Sequence, residues 1–239
     1  PNAGPGAGPD TPSIAFADRV TRIAPSPTVA ISSLALDLRA AGRDVIGLAV
    51  GEPDFETPPH VKEAAIRAIH DGHTRYTQVD GIPELKEAVA EKFRRENGLD
   101  VSAANISVGT GGKQVLFNAL MATVQAGDEV IIPAPYWVSF AGITEVAGGT
   151  PVFLASGFAD GLKLSPERLE AAITPRSRWV IINSPSNPTG MGYSADELHA
   201  FADVIRRHAN LMVISDDLYE HLTYDCLLYT SPSPRDAIP

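Results

Sequence analysis

The sequence predicts an α/β protein, built as a mostly parallel sheet with helices on both faces. Two observations carry this expectation. From Asn105 onward, short apolar runs alternate with stretches of helical periodicity. The longest apolar runs, Val130-Ile131-Ile132 and Val180-Ile181-Ile182, have the length of strands rather than of membrane spans. In order along the chain, residues 27–41 place Val29, Leu34, Leu36 and Leu38 at helical spacing, with Gly42 as a stop. Residues 45–50 read as a short buried strand that runs into Gly51-Glu-Pro-Asp54. Segments 60–70 and 82–96 read as amphipathic helices, closed by Asp71-Gly72 and Asn97-Gly98. The regular alternation then begins with a strand at 106–108, a Gly-rich turn, a helix at 113–124 and a strand at 129–132. A helix at 137–146, a strand at 152–154, a helix at 166–173 and a strand at 179–182 follow. A helix at 195–208 and a strand at 211–215 complete the expectation. Ligands of such sheets sit at the carboxyl ends of the strands.

Composition narrows the function. With 239 residues and 44% apolar content, the chain can bury a sizeable core. A formal charge of -10 argues against a nucleic-acid partner. No stretch has the roughly 18 continuous apolar residues of a membrane span. The start lacks the basic and apolar regions of a secretory signal, and residues 1–13 are a Pro/Gly/Ala string without an initiator Met. A single Cys excludes an internal disulfide framework. The expectation is a cytoplasmic protein. Segment 226–239 breaks the pattern: Cys226 to Asp236 is rich in Ser and Pro and matches one reading frame of a transposon-type sequencing adaptor. An ordinary disordered C-terminal tail is the plainer alternative; the frame match favours a non-native tail, and the segment is set aside from the functional reading.

Several residues sit where such a sheet does chemistry. Gly109-Thr-Gly-Gly-Lys113 joins a strand to a helix, where glycines let backbone amides converge on an anion and the helix start adds partial positive charge. Such turns also simply reverse a chain. Lys113, a cation in the first helical turn, opposes the macrodipole, and this points to a ligand. Trp137 follows a strand and can either pack in the core or offer a flat face to a ring. Asn187 lies in Asn183-Ser-Pro-Ser-Asn-Pro-Thr-Gly190, which also reads as ordinary turn chemistry. Asp216 and Asp217 end a strand, with Tyr219 just beyond. A carboxylate there needs a cation or a strong donor, and a helix N-cap is the plainer alternative. His70 and His73 read as surface residues, without the spacing of a metal site.

Taken together, the segments Gly51-Glu-Pro-Asp-Phe-Glu-Thr-Pro58, Arg75-Tyr-Thr77, Asp80-Gly-Ile-Pro-Glu-Leu85, Gly109-Thr-Gly-Gly-Lys-Gln114, Ala134-Pro-Tyr-Trp-Val-Ser139, Asn183 to Gly190 and Ser215-Asp-Asp-Leu-Tyr-Glu-His-Leu222 resemble the fold-type I aminotransferases, in particular the bacterial aspartate aminotransferase subgroup. The likeness covers about residues 16–224. It implies pyridoxal 5'-phosphate as cofactor, an amino acid and a 2-oxo acid as substrates, and a homodimer of the complete enzyme. It further implies that Gly51 meets the substrate α-carboxylate and that Gly112 and Lys113 hold the cofactor phosphate. The Lys113 side chain would meet a distal carboxylate, and Trp137 would stack on the ring. Asn187 and Tyr219 would bond the ring's phenolic oxygen, and Asp216 would pair with the protonated ring nitrogen. Tyr76 would reach the phosphate across the dimer interface.

Two departures accompany the likeness. The family's catalytic lysine and substrate-carboxylate arginine lie further along than this chain, in which no lysine follows Lys163. Relatives that also accept prephenate often have Lys before the Pro-Ser of the N-terminal segment, where this chain has Ala24. The implied organisation is a disordered tail at 1–15, a small-domain segment at 16–50 and an incomplete cofactor-binding large domain at 51–225.

Overall fold

In a computed structural model of the chain, residues 15–48, 51 and 55–224 are described. The expected tails at 1–15 and 226–239 fall almost wholly outside them, as do residues 49–50 and 52–54. Helices α1 (Asp18–Thr21), α2 (Pro27–Ala40), α3 (Pro59–His70), α4 (Pro83–Asn97) and α5 (Gly112–Thr123) precede β1 (Glu129–Ala134). Then come α6 (Ser139–Val146), β2 (Thr150–Ala155), α7 (Pro166–Ala172), β3 (Ser177–Asn183), α8 (Ala195–Ile205) and β4 (Met212–Asp216). Single 3-10 turns lie at Ala103–Asn105 and Phe158–Asp160. The four strands form one all-parallel sheet in the order β2-β1-β3-β4, which is the expected fold class.

Strand alternation sorts the core into two layers. Ile131, Val180 and Ile182 face Leu169, Leu198, Phe201 and Val204 of α7 and α8. Val130, Ile132 and Ile181 face Leu120, Phe140 and Ile143 of α5 and α6. Because β1 and β3 are covered on both sides, their side chains are apolar at successive positions. Local chemistry places the helix ends. Ser194 and Glu197 form a capping box at the start of α8. Ser165 caps α7, whose first residue is Pro166. At the end of α4, Gly98 takes the left-handed conformation, φ 67°, and the Leu99 amide bonds back to the Phe93 carbonyl at 3.0 Å.

The structure corrects several boundaries. Residues 106–108 form no strand: the Val108 amide bonds to the Asp80 carbonyl at 2.9 Å, and no described strand lies beside the segment. Residues 45–48 form none either, and Ile46 and Leu48 are 83% and 92% exposed. An apolar run becomes a strand only where a neighbour accepts its ladder bonds. The expected helix at 137–146 begins at Ser139, which leaves Trp137 in the loop after β1, and α8 ends at Ile205. The N-terminal helices are thinly packed. α1 and α3 bury no residue, and Val29, Ile31, Leu34 and Leu36 of α2 are exposed.

Candidate functional site

The crossovers define where a ligand can sit. β1 connects to β2 through α6 on one face, whereas β2 to β3 and β3 to β4 run through α7 and α8 on the other. The chain therefore leaves the neighbouring strands β1 and β3 toward opposite faces, and a crevice opens beyond their carboxyl ends. The exits of β1, β3 and β4 carry Trp137, Asn183 to Asn187, and Asp216 to Tyr219. A cavity between the exits of β1 and β3 is lined by Pro135, Tyr136, Lys163, Asn183, Ser186 and Tyr193, and stops short of Trp137 and Asp216.

The exits of β3 and β4 are stitched together. Asn183 and Asp216 are register partners at the two strand ends. The Asn183 side chain donates to the Asp216 carbonyl at 2.9 Å and accepts from the Asn187 amide at 2.7 Å. Asn187 in turn donates from Nδ2 to the Tyr219 hydroxyl at 3.4 Å. Asn183 thus orients both loops, a part the sequence reading did not assign. The signal was present, as an Asn ending a strand within the same Asn-Ser-Pro-Ser-Asn run.

On the side of β1, Trp137 is half-buried and meets the edge of Phe140 at 5.4 Å. It packs on the cluster that also holds Ile181 and Ile214, beneath the exits of β3 and β4. The Lys113 ammonium lies 5.1 Å from the centre of the Trp137 ring, which brings the start of α5 to the same end of the sheet. α5 begins at Gly112 after Gly111, φ 81°, with no side chain capping its first amides. A Cβ at Gly111 or Gly112 would meet nothing within 4 Å, so the approach to those amides is open.

Charge separates the two ends of the sheet. Glu129, at the amino end of β1, accepts from Thr174 Oγ1 at 2.6 Å and from Arg176 Nε at 2.8 Å. The Thr174 bond first, and then Arg176, hold its carboxyl below the usual glutamate range against the cost of burial. Asp216, at the carboxyl end of β4, has one backbone donor, Leu218 N at 3.3 Å, and no cation among the described residues. Burial pushes its carboxyl above the ordinary aspartate value, and the Leu218 bond only partly offsets this. Burial also raises Asp217, whose two oxygens accept from Ser215 Oγ at 3.0 and 3.1 Å. A half-buried acid without a cation fits a cationic ligand group.

Lys113, Trp137, Asn187, Asp216 and Tyr219 are therefore gathered at one end, with Gly112 beside them. Gly51 and Tyr76 are not. Both are exposed, Tyr76 completely, and neither bonds to the cluster. His70 and His73 are exposed as expected. Among the described residues, one group has metal-ligand spacing, Glu96, Glu220 and His221. The Lys92 ammonium already pairs with both carboxylates of that group.

Residues 43–235 match the family of class I and II aminotransferases. The chain is 58% identical to an aspartate/prephenate aminotransferase of Cereibacter sphaeroides, over 91% of this chain and 54% of that protein. Among solved structures, the aspartate aminotransferase of Rhizobium meliloti superposes with a TM-score of 0.89 at 49% identity, covering 92% of this chain and 55% of that one. The aspartate aminotransferase of Thermus thermophilus with maleate gives 0.86 at 47% identity, covering 89% and 56%. The chain spans about half the length of the curated relatives it matches.

Proposed function

From the premise that this chain belongs to the class I and II aminotransferases, we propose that it is the cofactor-binding half of an enzyme that moves an amino group between aspartate, or a similar acidic amino acid, and a 2-oxo acid. Pyridoxal 5'-phosphate is the cofactor that fits, and when bound it supplies a protonated ring that draws off the electron pair left at the substrate α-carbon. The observation that carries the reading is Asp216, half-buried and with no cation beside it among the described residues, next to the Asn187–Tyr219 pair and the Trp137 ring.

The residues at the strand exits have parts that their settings support, and those of Gly51 and Tyr76 rest on the family likeness. The Asp216 carboxylate would hold the ring nitrogen protonated, and that cation would reverse the upward push of burial on the carboxyl. Asn187 and Tyr219 would donate toward the phenolic oxygen. Trp137 would cover one face of the ring and keep water from it. The open amides of Gly112 and Lys113 would hold the phosphate, where the α5 start favours negative charge. The Lys113 ammonium would hold the distal carboxylate of an acidic substrate, in keeping with the Thermus thermophilus relative solved with maleate, a dicarboxylate. Gly51 would meet the α-carboxylate through its backbone. Tyr76, exposed in a single copy, would reach the phosphate of a second subunit, so a homodimer is the working form. Residues 16–50 would belong to a small domain and 51–225 to the cofactor-binding domain. No helix among the described residues is long and apolar enough to cross a membrane, and we place the enzyme in the cytoplasm.

A second reading adds prephenate to the substrates. The Cereibacter sphaeroides and Rhizobium leguminosarum relatives carry that substrate in their names. Ala24 departs from the pattern expected for it. Both readings are tested on the full-length protein with pyridoxal phosphate, aspartate and 2-oxoglutarate, followed by prephenate as amino acceptor. Oxaloacetate formation that depends on the cofactor supports the first reading, and glutamate or aspartate turnover with prephenate supports the second. Failure to bind the cofactor would sink both.

A further inference from the structure

The C-terminal half of α4 carries none of the residues assigned above, yet it is tied to the turn that carries two of them. Glu220 follows Tyr219 directly. One of its oxygens pairs with the Lys92 ammonium, and the other accepts from Asn97 Nδ2 at 2.9 Å. Lys92 also donates to Asn97 Oδ1 at 2.8 Å, so the three side chains close a ring of contacts. Glu96 lies 3.7 Å from Lys92, and the exposed His221 lies 3.4 Å from Glu220 and 3.6 Å from Glu96. Burial disfavours the Glu220 charge, but the bonds from Lys92 and Asn97 outweigh it and hold the carboxyl below the usual glutamate range.

We propose that Lys92 and Asn97 are positioning residues: by gripping Glu220 they fix the 216–220 turn, and so the direction in which Asp216 and Tyr219 face the cofactor. The inference rests on the functional reading above. The near end of the turn is already pinned, because the Asp216 carbonyl accepts from Asn183 at 2.9 Å and from the Ser184 amide at 3.3 Å. Beyond it, among the described residues, the turn has short-range bonds of its own: Leu218 N to the Asp216 carboxylate, Ser215 Oγ to Asp217, Glu220 N to Asp217 O and Leu222 N to Tyr219 O. The Asn187–Tyr219 bond, at 3.4 Å, is too long to hold the far end alone. Glu220 supplies the missing anchor. Lys92 does a second task, since it is the cation that moderates the Asp217 carboxyl, which burial and the nearby Glu220 and Asp216 all push upward. Without Lys92, carboxylates at 216, 217 and 220 would crowd one turn with only exposed His221 beside them. α4 is suited to the part of a strut, because Ala90 is its only buried residue and Lys92 and Asn97 reach the turn through polar contacts.

The test uses the full-length protein that contains this chain. Amide exchange of residues 218–222 is followed in the cofactor-free form, and pyridoxal phosphate affinity is read from tryptophan fluorescence. Lys92→Met and Asn97→Ala are expected to speed exchange in the turn and to raise the cofactor Kd about tenfold, the size of a lost partly buried charged contact. Lys92→Arg should restore both, and Arg94→Met, which removes an exposed cation from the same helix, should change neither. The double variant Lys92→Met/Glu220→Gln should bind no more weakly than Lys92→Met. Unchanged turn exchange in Lys92→Met would overturn the proposal, and so would acceleration spread equally over α4, α5 and α8. An unchanged Kd against a wild type that binds would also overturn it. A wild type that binds no cofactor would sink the functional reading instead, and the exchange arm would then judge the strut by itself.

Discussion

Asp216 and Glu129 are two acids at opposite ends of one sheet, and their settings push them in opposite directions. A carboxyl whose folded pKa lies above its unfolded value binds more protons in the folded state, so stability falls as pH rises through the window above the ordinary aspartate value of 3.8. Above that window, Asp216 burdens the cofactor-free protein. Asp216→Asn is therefore expected to raise the melting temperature of the cofactor-free full-length protein at pH 7 while weakening pyridoxal phosphate binding. At acid pH the stability gain should vanish. A variant that loses stability at pH 7 and binds the cofactor as before would refute the role. Glu129 has the reverse sign: its stabilisation is present above the unfolded value and is lost as pH falls through the lowered one. Lys113 makes the second residue-scale prediction. Loss of a charge-assisted contact costs about 1.5–3 kcal/mol, so Lys113→Ala should cut the preference for aspartate over neutral donors by that amount in kcat/KM. Equal losses for acidic and neutral donors would assign Lys113 to the phosphate alone.

The elements differ in how much of their form is local. α8 carries its own instructions: the Ser194–Glu197 box starts it, and Leu198, Phe201, Ala202 and Val204 supply its buried stripe. Ser194→Ala should destabilise the protein by about 1 kcal/mol in urea unfolding, with cofactor affinity intact. A neutral result would mean that packing alone holds the helix start. β1 and β3 are legible for a related reason, because strands covered on both faces leave unbroken apolar runs in the sequence. Segments 45–48 and 106–108 have the same local character and no partner strand. Their composition states a preference, and the absence of a ladder among the described residues overrules it.

For the whole molecule, among the described residues, thinly covered helices at the N-terminal end and a sheet edged by β2 and β4 surround a well-packed centre. Full-length protein is expected to sediment as a dimer, and Tyr76→Ala should weaken cofactor binding without altering the monomer fold. A fully active monomer would refute that. Made as its 239 residues alone, the chain is expected not to transaminate, since no lysine follows Lys163 and the reaction needs an amine poised over the ring. Multiple-turnover oxaloacetate formation by that product would overturn the expectation.

By itself the sequence determined the fold class, the helix starts at Pro166 and Ala195, the stop at Gly98, and the residue types gathered at the strand exits. These rest on interactions within a few residues or on periodicity, which a linear string records in full. It left open whether Trp137 was core or ligand surface and whether Asp216 was a cap or a partner for a cation. Those questions turn on neighbours brought from far along the chain. Phe140 and Lys113 flank Trp137, and Asn183 reaches across from β3 to Asp216, while no described cation does. The grip of Lys92 and Asn97 on Glu220 spans more than a hundred residues. No local pattern encodes it, because the desolvation and ion pairing that select it exist only once the chain has folded.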